Sequence, residues 1–199
     1  MAEHEGLKNL YEQVIDGKFG WDRWGLLSIL SDYVMNYNHD KGGMMEIGCG
    51  ESTIIFSRLA NKYKVWCWHI EYSKSGVENM RNTEGYFDRK YSLVYTGKSD
   101  DFFKEKVSHP LALAFIDGDH EYKQVERDFD NVWKYIVPGG YVFLHDTLPP
   151  DDSWKVPEKC GTVYKLRKDL ESFSGNPGYE IFTFDKSAFN VGLTMVKKW

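Results

Sequence analysis

The segment Gly42 to Thr53, reading GGMMEIGCGEST, constrains the fold of this chain more than any other. A short apolar run ends in an acid, two glycines follow two positions apart, and a Ser-Thr pair opens what comes next. Such a sequence describes a buried strand turning sharply into a helix, with glycines where a ligand must come close to the backbone. It points to an adenosine-type cofactor without saying which one.

The rest of the chain repeats the unit. Strands are expected at 43–48, 65–70, 91–96, 111–116 and 141–144, separated by helices at about 52–62, 74–82, 100–107 and 121–136. Short apolar runs alternating with amphipathic segments are the pattern of a parallel sheet covered on both faces. Before the first strand, 11–15 and 21–35 carry helical spacing, and 1–41 is expected to be an N-terminal helical extension of a single domain spanning 1–199. After the fifth strand the pattern changes to a long irregular loop, Leu148 to Gly161, which we expect to cover a substrate, and then to a helix over about 162–173. Strands at Tyr179 to Phe184 and Phe189 to Val196 follow, joined by Asp185-Lys186-Ser187. So short a link joins only antiparallel strands. The expected fold is thus α/β: a Rossmann-like, doubly wound, seven-stranded, mostly parallel sheet with an antiparallel last strand.

A chain of 199 residues with 42% apolar content has enough material for one core. Its net charge of -5 argues against a general nucleic-acid surface. Three cysteines, Cys49, Cys67 and Cys160, read as reduced thiols. With no leader-like pattern near Met1 and no apolar run approaching ~20 residues, a cytoplasmic protein without membrane contact is expected. The sequence is silent on oligomeric state.

In open parallel sheets ligands bind beyond the carboxyl ends of the strands. Here those ends carry Glu46, Glu71, Asp117 and Asp146. Each acid alone reads equally well as a helix cap or a solvated turn; four at one rim form a functional set. Glu71 lies 21 residues beyond Gly50, the separation expected of an acid that accepts from both ribose hydroxyls. Glu46 is a candidate for the cofactor's charged amino group, and Gly48 and Gly50 for close backbone approach. Asp117 and Asp146 on adjacent strands offer oxygen donors for Mg²⁺.

These residues resemble the class I S-adenosylmethionine-dependent methyltransferases, and EIGCGES, Glu71, FIDGDHEYKQVERDF and PGGYVFLHD look most like the small-molecule O-methyltransferase branch, methyltransferase family 24. The resemblance implies that Glu46, Gly48 and Gly50 hold the methionine part of S-adenosylmethionine, Glu71 the ribose, and Ser99 and Asp100 the adenine. It also implies a catechol-type layout in which Asp117 and Asp146 bind metal and His120 is the base, with His145 the second candidate. Asp117 then serves both cofactor and metal. In two places the sequence departs from that layout. His120 stands where a lysine is usual, and Thr147 occupies the position of the asparagine metal ligand. The implied activity is O-methylation of a hydroxyl on a small-molecule acceptor such as a sugar, phenol or natural product.

Other readings remain open at this point. A nicotinamide-dependent oxidoreductase shares the turn and the ribose acid, but its third glycine position holds Thr53, and the pair Tyr86 and Lys90 precedes the third strand. A nucleic-acid methyltransferase would carry a proline-rich aromatic motif where Asp117-Gly118-Asp119-His120 stands. A non-catalytic or hydroxylase-like protein on the same scaffold is the third class. Among the individual residues, Asp119 reads as the cap of the next helix, His145 as either structural or catalytic, and Trp21 or Trp24 as a cover for the cofactor.

Overall fold

The computed structural model describes residues 24–82, 90–105, 109–173, 178–185 and 190–199. The apolar run before the glycine turn forms β1 (Gly43–Ile47), and the Ser-Thr pair starts α2 (Ser52–Tyr63). Then follow β2 (Cys67–Glu71), α3 (Lys74–Asn82), β3 (Ser92–Thr96), α4 (Ser99–Glu105), β4 (Leu111–Ile116), α5 (Tyr122–Trp133), β5 (Ile136–His145), α6 (Val163–Ser172), β6 (Tyr179–Phe184) and β7 (Leu193–Lys198). Ahead of them all, α1 spans Gly25–Asn38. The expected helix at 11–15, Trp21, Tyr86 and most of the Asp185-Lys186-Ser187 link lie outside the described residues.

Seven strands pair in the order β3-β2-β1-β4-β5-β7-β6. β1 lies between β2 and β4, parallel to both, and β7 inserts antiparallel between β5 and β6. This is the expected sheet, a parallel body with a reversed last strand. The order also reverses at β1, so the crevice beyond β1 and β4 is the topological switch point where ligands bind.

Side-chain alternation along β1 sends Met44 to one face and Met45 with Ile47 to the other. The first face packs under α1 and α2 with Phe56, Phe115 and Phe143, while the second packs Phe102, Val125, Val132 and Leu166 from α4, α5 and α6. The extension expected over 1–41 is, over its described part, an integral layer of the domain. Leu26, Leu27, Leu30, Val34 and Met35 of α1 are buried in the first cluster. Truncating one such Leu or Met to Ala costs ~2 to 5 kcal/mol.

β5 begins earlier than the sequence indicates. Ile136, read as the end of a helix, pairs with Leu111, and after a bulge Tyr141 pairs with Leu113. Pro138-Gly139-Gly140 is therefore a kink within a strand. Gly140 is required there, because a Cβ would lie 2.9 Å from the Ala112 carbonyl oxygen. Among the described residues no helix is long and apolar enough to cross a membrane.

Candidate functional site

At the end of β1 the chain turns at Gly48, whose φ is +84°. A Cβ at this position would sit 2.0 Å from the Asp117 carbonyl oxygen, so the close approach that Gly48 permits is to the β4 loop. Gly50 has open space around it instead. Thr53, at the third glycine position of the dinucleotide fingerprint, accepts a hydrogen bond from the Gly50 N–H at 3.2 Å, which fixes the turn from inside.

Glu46 does not reach this turn's open side. It is fully buried, accepting from Ser52 Oγ at 2.5 Å and facing His69 Nδ1 at 2.7 Å, while His69 Nε2 meets Ser92 Oγ at 3.2 Å. Both oxygens are thus engaged by protein groups in a polar chain across β1, β2 and β3. Its place corrects the expectation that Glu46 takes up the amino group of a cofactor: the strand register that sets Glu46 beside His69 holds it inside the sheet layer.

Beyond the strand ends a cavity of about 750 Å³ opens between the turns after β1, β2, β3 and β4. That volume suits a cofactor-sized ligand. Glu71 lines it, its carboxylate held by the N–H groups of Cys49 at 2.9 Å and Ser73 at 2.6 Å. Gly48, Ser99, Asp100 and Asp117 also line it, whereas Gly50 does not. Asp128, on α5, was not singled out in the sequence. It is 1% exposed overall, lines the cavity, and accepts on Oδ1 from Ser99 Oγ at 2.6 Å and Gln124 Nε2 at 3.1 Å. Burial pushes its carboxyl up to about 6, against the pull of those two hydrogen bonds. On a helix its acid resembled an ordinary solvated face residue; only the fold turns it inward.

Next to the cavity, at the shared Asp117, a second group of side chains converges. His145 Nδ1 lies 3.2 Å from Asp117 Oδ1 and 3.4 Å from Asp146 Oδ1. His120 Nε2 lies 3.1 Å from Asp146 Oδ2 and 4.0 Å from Asp117. Strand alternation predicts that consecutive residues diverge, but Asp146 has a φ of +60°, which swings its carboxylate back beside His145. The imidazole of His145 is packed between Trp24, at 5.1 Å between ring centroids, and Phe115, at 6.3 Å. Trp24 thus covers His145, and its indole N–H donates to Glu51.

Several groups here titrate far from their ordinary values. Burial alone would lower the His145 pKa, but Asp117 and Asp146 override it and raise it to about 10. For Asp146 burial works upward, and the two histidines hold its carboxyl well below the usual range. The hydrogen bond to Asp146 raises the His120 pKa, against the opposing effect of burial. Beside them the Cys160 thiol is pushed up to about 12, first by burial and then by Asp146.

The loop over 148–161 closes onto this group. Pro157 oxygen accepts from His120 Nδ1 at 3.2 Å, and Gly161, with φ +54°, presses so close to His120 that a Cβ would fall 2.2 Å from its carbonyl oxygen. Thr162 Oγ1 then accepts from Tyr122 N at 2.7 Å, capping α5 from 40 residues away. The cap expected of Asp119 is a local turn instead: its carboxylate accepts from Glu121 N at 2.9 Å.

A cation suits the convergence of Asp117 and Asp146. Two carboxylates approach each other at a rim, and the nearly buried His145 ring has no aligned hydrogen bond at either nitrogen. Thr147, expected to replace the asparagine ligand, is engaged by other protein groups. Its hydroxyl accepts from Thr194 Oγ1 on β7 at 2.8 Å and its carbonyl from Arg167 Nε on α6 at 2.9 Å. The backbone kink at Asp146 separates the two neighbours.

Sheet order, reversed last strand and acidic rim together define a class I methyltransferase scaffold. The chain belongs to the methyltransferase domain family 24, whose model matches residues 45–147. A curated relative, uncharacterized protein R132 of Acanthamoeba polyphaga mimivirus, is 35% identical over 73 residues; the match spans 37% of this chain and about a third, 32%, of the relative. The fold is similar to that of the O-methyltransferase TomG of Streptomyces achromogenes, solved with S-adenosylmethionine, at TM-score 0.68 and 16% identity over 98% of this chain and 89% of that one. An O-methyltransferase of Bacillus cereus, solved with S-adenosylhomocysteine, gives 0.67 and 16% over 100% and 91%. The MycE methyltransferase of the mycinamycin biosynthetic pathway, solved with Mg and S-adenosylhomocysteine, gives 0.57 and 16% over 96% of this chain and 54% of that one.

Proposed function

We propose that this protein transfers a methyl group from S-adenosylmethionine to a hydroxyl oxygen of a small molecule. One observation carries the reading: the cavity along the carboxyl ends of β1 to β4 ends at Asp117, where the His120, His145 and Asp146 side chains converge. A donor whose ribose is held by Glu71 and whose adenine lies toward Ser99, Asp100 and Asp128 would bring its sulfonium end to that junction. The acidic lining favours a positively charged donor.

The sulfonium already activates the methyl group, so the protein's work is alignment and proton removal. The acceptor oxygen attacks the methyl carbon, the carbon–sulfur bond breaks to leave a neutral thioether, and the acceptor's proton passes to His120 Nε2. Pro157 oxygen, accepting from Nδ1, leaves Nε2 as the nitrogen that faces the site. A divalent cation between Asp117 and Asp146 would lower the pKa of the acceptor hydroxyl.

The test is the His120→Gln variant, assayed for S-adenosylhomocysteine release with a panel of hydroxylated sugars, phenols and natural products. Turnover should fall ~10²-fold or more while S-adenosylhomocysteine binding persists. Because a base works deprotonated, turnover should climb with pH, and in metal-free protein, where the hydrogen bond to Asp146 raises the His120 pKa, the midpoint should lie above ~6.5. Near-wild-type turnover by His120→Gln would remove the assignment. Calorimetric binding of NAD but not S-adenosylmethionine would remove the methyl-transfer reading itself.

A further inference from the structure

Among the described residues two groups of side chains have metal-ligand chemistry: Glu46 with Cys49 and His69, and Asp117 with His145 and Asp146. The first is already satisfied. Glu46 is held by Ser52 and His69, His69 also by Ser92, and the Cys49 thiol points at the Ile70 carbonyl oxygen at 3.6 Å. In the second, His145 is 5% exposed, yet neither ring nitrogen makes a hydrogen bond, even though Nδ1 has carboxylate oxygens at 3.2 and 3.4 Å.

Those separations are informative. Donors ~2.1 Å from one ion stand about 3.0 Å apart at a right angle and about 3.4 Å apart at the tetrahedral angle. His145 Nδ1 therefore stands from each carboxylate oxygen at the spacing of neighbouring ligands, and the three residues each offer a donor atom within 4.8 Å of the others. Trp24 and Phe115 fix the imidazole plane, so the ring is presented to the carboxylates already ordered.

We infer that His145 is a metal ligand, and that the Asp117–His145–Asp146 site selects a first-row transition ion such as Mn²⁺, Fe²⁺, Co²⁺ or Zn²⁺ over Mg²⁺. The inference rests on reading this rim as the acceptor end of a methyltransferase, but its chemistry is independent of turnover. Mg²⁺ prefers an all-oxygen octahedron and sheds water reluctantly. An imidazole nitrogen between two carboxylates suits the later divalent ions instead.

The experiment titrates metal-free full-length protein with Co²⁺ and follows the visible d–d bands, then competes with Mg²⁺. Co²⁺ should bind with one ion per chain, and Mg²⁺ should displace it only at an excess of ~10²-fold or more. In His145→Gln, checked for folding by circular dichroism, the Co²⁺ affinity should fall ~10-fold or more and the bands should shift, whereas Mg²⁺ affinity changes little. Asp117→Asn should weaken both ions. Three results would overturn the inference: Mg²⁺ competing on equal terms, an unchanged Co²⁺ spectrum in folded His145→Gln, or no Co²⁺ binding at millimolar concentration. S-adenosylhomocysteine calorimetry on the same metal-free protein separates the two proposals. Protein that binds the thioether but takes up no Co²⁺ sinks this inference alone, and protein that binds Co²⁺ but not the thioether sinks only the methyl-transfer reading.

Discussion

Replacing Gly48 by alanine tests whether the glycine turn serves the protein's own packing before it serves a ligand. An L-residue at φ +84° costs ~1 to 2 kcal/mol. The new Cβ would start 2.0 Å from the Asp117 carbonyl oxygen, where real contacts keep at least 3.0 Å, so the loops after β1 and β4 must separate by about 1 Å. That movement strains the 2.8 Å hydrogen bond from Asp117 N to Ile47 oxygen, worth about 1 kcal/mol more. Gly48→Ala should therefore lose roughly 2 to 4 kcal/mol in urea unfolding. It should also lose about a hundredfold in methyl transfer, because Asp117 moves by an ångström at the reacting end. Gly50→Ala is the control: nothing lies within 4 Å of its would-be Cβ, so stability should stay within about 0.5 kcal/mol. If Gly48→Ala unfolds at the wild-type urea midpoint and keeps its turnover, the argument that β4 dictates this glycine is wrong.

Two further outcomes follow from buried acids. The Asp128 carboxyl, near 6 when folded against 3.8 unfolded, binds more protons in the native state. Its cost is only about 0.5 kcal/mol at pH 4, grows as pH rises through that window and is full above it, on the order of 2 to 3 kcal/mol. Asp128→Asn should thus stabilise the protein at pH 8 far more than at pH 4, and an equal gain at both would refute the cause. Glu46→Gln keeps the size of the side chain but weakens a charge-assisted bond to His69, so a loss of ~1 to 3 kcal/mol is expected with S-adenosylhomocysteine affinity within about threefold. A tenfold loss of affinity in folded Glu46→Gln would return this residue to the donor site.

The alternation of strands and helices, the reversed last strand, and the rim positions of Glu71, Asp117 and Asp146 were legible because period and strand ends are local properties. His120 was legible through its spacing from Asp117. What escaped depends on contacts distant in sequence. Glu46 was assigned to the cofactor because its partner His69 sits 23 residues away on the next strand. Thr147 was assigned to a metal because Thr194, which claims its hydroxyl, comes 47 residues later. The convergence of His145 and Asp146 needed a left-handed backbone at an aspartate, which strand alternation does not foresee. Asp128 needed the tertiary position of α5.

Asp117 borders the cavity with one side and meets His145 and His120 with the other. If the proposed donor and cation both bind, the carboxylate they share would couple their occupancies, and such coupling is reciprocal. Whatever factor donor binding imposes on a cation's affinity, the cation must impose the same factor on the donor. Apparent constants measured for either one would then carry the concentration of the other within them.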